Sequence, residues 1–293
     1  MTHVLTFLIP LGCSFLFSVQ FAFNKYYEGR MGQSLKSSAF FCMTMSAAAA
    51  VLVLAMNRFA FSFSPFSCVM ALLLAADSML CTVCSLRAVH LGSLSVYTLF
   101  LMLGGMLVPS VLGVAFLGET MGLYRKLGFL LIFAALLVPV FDRKSRQKSS
   151  ALFFVFCFLL LLLNGANSCI TKLHQINAQA VDTNSFLAMN YAFEFAVAGL
   201  FLLCANTGGR KSLSLDKKSA LFALAYSLVN AVGSFGLASC AKTLDASLLY
   251  PLITGGTILF SALVGFVLFK EKPTAFSAAG MALAVAATVC YAL

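Results

Sequence analysis

Residues 94–128 read LSVYTLFLMLGGMLVPSVLGVAFLGETMGLYRKLG, and residues 246–280 read ASLLYPLITGGTILFSALVGFVLFKEKPTAFSAAG. An offset of 152 residues superimposes the two stretches and continues beyond them. The matched residues are Ser95 with Ser247, Gly104 with Gly256, Gly113 with Gly265, Glu119 with Glu271, Gly128 with Gly280, and Ala134-Ala135 with Ala286-Ala287. Glycines that keep the same spacing around a single glutamate indicate an internal duplication.

The whole chain is as apolar as these two stretches. Of its 293 residues, 61% are hydrophobic and 10% are charged, and its mean hydropathy is +1.00, well outside the balance of a soluble domain. A helix that crosses a bilayer needs about 20 mostly apolar residues. Suitable runs are predicted at residues 4–23, 37–56, 66–86, 94–117, 123–141, 151–171, 184–205, 220–239, 246–269 and 274–293. The sequence therefore predicts an all-α integral membrane protein of about ten transmembrane helices.

The ten predicted helices divide into two sets of five. A second, weaker alignment with an offset of 147 places Ser18-x-Gln20-x4-Lys25 on Gly165-x-Asn167-x4-Lys172. The repeats are residues 1–141 and 150–293, and a short basic linker, 142–149, joins them. Because five is odd, the second repeat enters the membrane from the opposite side. Inverted repeats are typical of secondary transporters, which bind substrate in a central cavity between the halves.

Short motifs at the ends of these helices extend the comparison to a known family. They are Leu117-Gly118-Glu119 and Lys270-Glu271 closing the fourth helix of each half, Gly128 and Gly280 nine residues after the glutamates, Gly165-x-Asn167-x4-Lys172, and Tyr250-Pro251. With these motifs the chain resembles the EamA-type branch of the drug/metabolite transporter superfamily over essentially its whole length. The resemblance implies two inverted five-helix repeats around a central cavity and the movement of metabolites such as amino acids, often as an exporter. The chain departs from the family pattern in two respects. The first half has Leu99 at the position that matches Pro251, and the tryptophan common in the first-helix motif is missing because the protein contains no Trp.

The net charge of +10 is concentrated in the short predicted loops. Loops after helices one, three, five, seven and nine hold 14 of the 19 Lys and Arg residues, and the opposite side holds five. The positive-inside rule then predicts that both termini face outward. We expect a multi-pass protein of the cell membrane, plasma or inner. Basic residues in such loops contact anionic lipid headgroups, which makes nucleic acid an improbable partner.

Cysteine and histidine residues do not suggest a metal or cofactor. The ten cysteines all fall in apolar runs and are predicted to behave as small buried hydrophobes, including Cys81 and Cys84, which form a C-x-x-C on one helix. The three histidines, His3, His90 and His174, are scattered. We expect no metal site and no cofactor.

Two acids fall near the middle of predicted transmembrane helices, Asp77 on the third and Glu194 on the seventh. An ionised Asp at a helix centre costs at least about 2.5–3.5 kcal/mol, so such a residue faces the protein interior. Either acid could bind a cationic group of a substrate or exchange a proton with it. The alternative is that each acid hydrogen-bonds a neighbouring helix and stabilises packing.

Other polar residues share helix faces and could line a wet cavity. The candidates are Asn164, Asn167, Asn230, Thr254, Gln20, Tyr97, Tyr250 and Lys172. Each has a structural alternative: helix packing for Thr and Asn, the aromatic belt for the two tyrosines, and snorkelling to headgroups for Lys172. Glu119 and Glu271 lie at the membrane edge beside basic residues, where pairing or helix capping is expected.

These features favour a secondary transporter of a small amino acid-like, cationic or neutral solute that works by alternating access, with proton coupling as one option. No nucleotide-binding G-x-x-x-x-G-K-[ST] loop is present. The main alternative is an intramembrane enzyme acting on lipids or a translocase of lipid-linked substrates, which would need a convergent set such as Ser with His. A structural or receptor-like membrane protein is a third possibility. The substrate, the direction of transport, the coupling ion and the oligomeric state are left open.

Overall fold

The computed structural model describes residues 2–31, 34–91, 94–138, 151–205, 217–270 and 275–292. Nearly all of these residues lie in ten α-helices. The helices are α1 Thr2–Met31, α2 Leu35–Met56, α3 Pro65–Leu91, α4 Leu94–Phe116, α5 Leu123–Leu137, α6 Ala151–Ile176, α7 Thr183–Ala205, α8 Lys217–Thr243, α9 Ala246–Phe269 and α10 Ala275–Ala292. The prediction of an all-α fold is therefore confirmed, while the predicted linker 142–149 and Glu271 lie outside the described residues.

Among the described residues, six helical segments are long and apolar enough to cross a membrane. They are Lys36–Met56, Pro65–Ser85, Ala151–Ile176, Thr183–Cys204, Lys217–Thr243 and Ala246–Leu268. Shorter apolar helical segments occur at Phe7–Gln20, Phe100–Phe116 and Ala278–Tyr291. The chain is thus a helical membrane protein.

The first five helices pack mainly against the last five. Helix α1 packs against α8 and α9, and α6 packs in the same way against α3 and α4. Helices with the same rank in each set also meet, since α2 contacts α7, α4 contacts α9 and α5 contacts α10. The main hydrophobic core lies between the two sets, with Met45, Val53, Leu74 and Phe186 buried together.

Several helix ends are determined by local sequence. The Ser34 hydroxyl accepts a hydrogen bond from the Ser37 N–H at the start of α2, and Asp182 does the same for the Ser185 N–H at the start of α7. Helix α4 ends before Gly118, whose φ of 67° is readily adopted by glycine. Helix α9 ends at Lys270, which takes a similar φ of 52° without being glycine.

Two glycines allow close helix crossings. A Cβ at Gly104 of α4 would lie 2.7 Å from the carbonyl carbon of Leu161 on α6. A Cβ at Gly256 of α9 would lie 2.6 Å from the hydroxyl oxygen of Ser14 on α1. The absence of a side chain at these positions is therefore what brings α4 onto α6 and α9 onto α1.

Candidate functional site: a polar cavity with one carboxylate

A cavity of about 270 Å³ lies among α2, α3, α6, α7 and α8. Its wall combines apolar side chains with hydroxyl, amide and carboxylate groups. The lining residues are Cys42 and Met45 of α2; Leu74, Ala75, Ser78, Met79 and Thr82 of α3; Asn167 and Thr171 of α6; Leu187, Asn190, Tyr191 and Glu194 of α7; and Tyr226, Asn230, Ser234, Leu237 and Ala238 of α8. Helices from both halves of the sequence therefore form this wall.

Glu194 lies at the twelfth position of the 23-residue α7 and provides the carboxylate of this wall. Its Oε2 accepts a hydrogen bond from the Ser46 hydroxyl at 3.1 Å, and its Oε1 accepts one from the Asn190 side-chain amide at 3.3 Å. Ser46 belongs to α2, so this contact joins the two halves. No Lys, Arg or His lines the cavity in the part of the chain that the structure describes.

Asp77 lies beside the cavity rather than in its wall. Its side chain is 7% exposed, and its Oδ2 accepts a hydrogen bond from the Asn167 amide at 3.3 Å. Asn167 itself lines the cavity. A matching contact joins α1 to α8, where the Gln20 amide donates to the Tyr226 hydroxyl at 2.5 Å. The predicted residues Asp77 and Gln20 thus each hydrogen-bond a residue of the cavity wall.

Asn230 of α8 lies in the wall, as the sequence suggested. Its side-chain amide donates to the Tyr191 hydroxyl at 3.1 Å. One turn earlier, Ser227 donates to the Met45 backbone carbonyl at 2.8 Å, which attaches α8 to α2. The polar face of α8 therefore both lines the cavity, through Asn230, and packs against α2, through Ser227.

Two other predicted site residues, Asn164 and Tyr250, make contacts between helices outside the cavity wall. The Asn164 amide donates to the Leu101 carbonyl of α4 at 2.7 Å, and the Tyr250 hydroxyl donates to the Ser168 carbonyl of α6 at 2.6 Å. Thr254 is buried on α9. The side chain of Tyr97, whose equivalent under the 152-residue offset is Leu249 beside Tyr250, lies outside the described residues.

Lys172 is also placed away from the cavity. It is buried, and its Nζ donates to the backbone carbonyls of Ala241 at 3.1 Å and Leu244 at 2.5 Å. These carbonyls belong to the C-terminal end of α8, where a cation is favourable because the helix dipole is negative there. Lys172 therefore holds α6 to the end of α8.

Glu119 adopts the capping role expected for it. Its two carboxylate oxygens accept hydrogen bonds from the backbone N–H groups of Ala246 at 2.7 Å and Ser247 at 2.9 Å. These are unpaired donors of the first turn of α9. Arg125 and Asp245 form an ion pair of 2.7 Å at the same end of the molecule.

His174 forms a second buried polar cluster, which sequence reasoning missed. Its ring stacks on Phe186 with centroids 3.6 Å apart, and its Nε2 lies 2.9 Å from the Ser67 hydroxyl. The Ser67 hydroxyl also accepts from the Val181 N–H at 3.0 Å. This cluster attaches the end of α6 to the starts of α3 and α7. Among the described residues, no group of His, Cys, Asp and Glu is arranged to hold a metal ion.

The cysteines are less uniformly buried than predicted. Cys13, Cys84, Cys157, Cys169 and Cys240 are buried. Cys204 is exposed, and the others, including Cys81, are intermediate. Exposure on the outside of a membrane protein still means contact with lipid for most of a helix, so an apolar thiol is tolerated there.

Ser46 and Asn190, which hydrogen-bond Glu194, were not among the predicted site residues, and neither were wall residues such as Tyr191 and Tyr226. Asn190 lies one helical turn before Glu194, so its position on the same face was readable from the spacing. Ser46 gave no comparable signal, because a serine in an apolar helix most often packs against a neighbour.

Comparison with known proteins defines the fold alone. No family model and no curated protein matches the sequence. A protein of known crystal structure has a TM-score of 0.76 and 16% sequence identity over 97% of this chain and 95% of its own. The whole described architecture is therefore shared with a solved structure, and at this identity the likeness does not extend to what the protein binds.

Proposed function

We propose that this chain is a secondary transporter of the EamA type that moves a small metabolite across a cell membrane by alternating access, as an exporter. The observation that carries the proposal is the position of Glu194. Its carboxylate lies in a polar cavity formed by helices of both halves, and it accepts a hydrogen bond from Ser46 of the other half. A carboxylate in a cavity wall at the middle of an apolar helix is a candidate site for a substrate or a coupling ion.

The proposal includes ten spans arranged as two inverted repeats, residues 1–141 and 150–293. Matched packing supports it, because α1 packs on α8 and α9 as α6 packs on α3 and α4. Gly104 and Gly256, 152 residues apart in the sequence, each lie at one of these matched crossings. Gly118 and Lys270, separated by the same 152 residues, both have positive φ where the fourth helix of a half ends.

Alternating access follows from where the halves meet. The cavity is lined by α2 and α3 on one side and by α6, α7 and α8 on the other. Rocking of one set against the other would change which end of the cavity is open while the Glu194 carboxylate stays in its wall.

Glu194 is also the proposed coupling residue, because one carboxylate can hold either a proton or a cationic group. The other titratable side chains of the wall are Cys42, Tyr191 and Tyr226, and Asp77 lies behind Asn167. Competition of a proton and a substrate for this single group would exchange them across the membrane.

The test is transport by the purified protein in proteoliposomes. Uptake and efflux of labelled amino acids and organic cations are measured with and without an imposed pH gradient. We expect gradient-dependent movement that falls by about tenfold or more in Glu194→Gln, because a charged hydrogen bond contributes about 1.5–3 kcal/mol. Asp245→Asn is the matched control, since it removes an acid from a half-exposed ion pair.

Two results would contradict the proposal at different levels. An unchanged rate and pH profile in Glu194→Gln would remove Glu194 from coupling. Failure of every solute to move would argue against a transporter and in favour of the lipid-acting or structural alternatives.

The intramembrane enzyme gains no support from the geometry. His174 is the histidine nearest to such a role, and it does not line the cavity. Its ring nitrogens lie within hydrogen-bonding distance of Ser67 and Gln175, and its ring stacks on Phe186. A catalytic histidine would need one nitrogen directed at a substrate.

A further inference from the structure

The cavity presents two hydrogen-bond acceptors side by side. Asn190 and Glu194 are four residues apart on α7, so their side chains lie on the same helix face. The Asn190 Nδ2 donates to Glu194, which fixes the amide orientation because a carboxylate oxygen can only accept. The Asn190 Oδ1 is then an acceptor. It is buried and has no hydrogen-bond partner among the described residues, and the whole residue is 4% exposed.

The site also lacks a positive charge to balance the Glu194 carboxylate. The Glu194 carboxylate has about four acceptor positions, and its side-chain partners Ser46, Ser78 and Asn190 are all neutral donors. The part of the wall that the structure describes contains no basic side chain. A buried ion without a counter-ion is costly, so the occupant of the cavity has to supply a positive charge together with N–H donors.

Apolar side chains form much of the remaining wall, beside neutral hydroxyl and amide groups. Methionine and leucine side chains line it, and methionine adapts readily to different apolar shapes. These residues are Met45, Leu74, Met79, Leu187 and Leu237. The volume of about 270 Å³ is near the lower end of the range for small-molecule pockets. An occupant of this size has room for one polar head and a compact apolar body.

We propose that the cavity binds a small protonated primary or secondary amine with an apolar body, its ammonium N–H groups donating to Glu194 and to the Asn190 Oδ1. This inference rests on the proposed transport function and names the substrate class for it. A carboxylate on the same molecule is disfavoured, because it would share a small cavity with Glu194 and find no basic side chain there. An amine is therefore preferred to the α-amino acid of the same skeleton.

A matched series of four ligands tests this selectivity on the unmodified protein. The series is 2-phenylethylamine, its trimethylammonium derivative, phenylalanine and 2-phenylethanol, which share one apolar body and differ in charge and donors. Displacement of labelled 2-phenylethylamine is measured in detergent, and counterflow of each labelled compound is measured in proteoliposomes. We expect the amine to bind at least about tenfold more tightly than each of the other three compounds.

The variants then assign the selectivity to the two acceptors. Glu194→Gln should weaken amine binding by about tenfold to a hundredfold and leave the alcohol unchanged, while Asn190→Ala should weaken the amine by a smaller factor. Asp245→Asn, outside the cavity, should bind the whole series as the unmodified protein does. The ligand series needs no variant, so its result stands even if a variant does not fold.

The outcomes separate this inference from the proposed function. Equal or tighter binding of phenylalanine, or of the trimethylammonium compound, would overturn the amine assignment, and movement of either in counterflow would leave the transporter intact. Movement of amino acids or sugars without any amine binding would also overturn the amine assignment and leave the transporter proposal intact. If no compound binds and no solute moves in the broader panel, both proposals fail together.

Discussion

The N-terminus of α9 is capped by the carboxylate of Glu119, which follows α4, and the position of this carboxylate depends on Gly113. The Glu119 oxygens accept from the N–H groups of Ala246 and Ser247. A Cβ at Gly113 would lie 2.6 Å from the Glu119 carboxyl carbon and closer still to Oε2, so a side chain there displaces the cap. Gly113 lies inside α4 and has no conformational need to be glycine. A double-mutant cycle on Glu119 and Gly113 isolates this arrangement.

The magnitudes follow from the two contacts. Glu119→Ala removes both bonds to the first turn of α9, which costs about 2 kcal/mol, as expected for a strong cap or a charged hydrogen bond. Gly113→Ala loses the same cap but gains about 1 kcal/mol of helix propensity, so its net cost is about 1 kcal/mol. In the Glu119→Ala background the same substitution has no cap to lose and should stabilise the protein by up to about 1 kcal/mol. The coupling free energy is therefore about 2 kcal/mol.

The chain's own thiols report unfolding. Thermal denaturation in detergent is followed with a fluorogenic maleimide, because buried cysteines react when the fold opens and the chain has no Trp to monitor. A change of 1 kcal/mol corresponds to about 2–4 °C in Tm for a chain of this size class. Gly199→Ala is the control, since its Cβ meets nothing closer than the Met43 sulfur at 3.9 Å.

The decisive quantity is the sign of the change in Tm caused by Gly113→Ala in the Glu119→Ala background. If Gly113→Ala lowers Tm in the Glu119→Ala background as much as it does in the unmodified protein, then Gly113 is not required by the carboxylate, and another neighbour of α4 must explain it.

Three further substitutions are tested by the same denaturation assay. Gly104→Ala should destabilise the protein by about 3 kcal/mol or more or prevent folding, because its Cβ collides with backbone atoms of Leu161 that cannot move independently; a shift under 1 °C would show that α4 and α6 are farther apart. Lys172→Met should lower the free energy of unfolding by about 1–3 kcal/mol, because the backbone carbonyls of Ala241 and Leu244 lose their donor. Lys172→Arg should recover part of this loss. Lys270→Gly should stabilise by up to about 1 kcal/mol because glycine adopts a φ of 52° without strain, and a loss of stability would indicate that the Lys270 side chain makes a contact of its own.

Hydropathy predicted the helices well and their ends less well. Helix α1 was predicted to stop at residue 23 and continues to Met31. A hydropathy window detects the apolar run that lies in hydrocarbon, but backbone hydrogen bonds continue to form after the side chains become polar. The same reason explains why α6 extends past Thr171 to Ile176. Where a helix ends at a cap, as α2 does at Asn57, prediction and structure agree.

Long-range partners decided which polar residues reach the cavity, and these partners are invisible in the sequence. Lys172 and Asn167 both lie on α6, yet Lys172 contacts the end of α8, and Asn167 lies in the cavity wall and hydrogen-bonds Asp77. An acid within an apolar run predicted a residue that faces the protein interior, because hydrocarbon does not accommodate a charge. The structure buries Asp77 and places Glu194 in the cavity wall.

The proposed repeat explains why comparison of the two halves identified packing residues and missed part of the site. Ser46 and Glu194 are 148 residues apart, close to the offsets of 147 and 152 that align the halves, and they meet at 3.1 Å where α2 packs on α7. Under the proposed symmetry they are neighbouring rather than identical positions, within one residue of each other at the offset of 147. Glycines at equivalent crossings stay alike because both crossings need a small residue, whereas two carboxylates at this distance would repel each other and could not both stay ionised. A substrate that lacks twofold symmetry needs one carboxylate, so the binding site is expected where the two repeats differ.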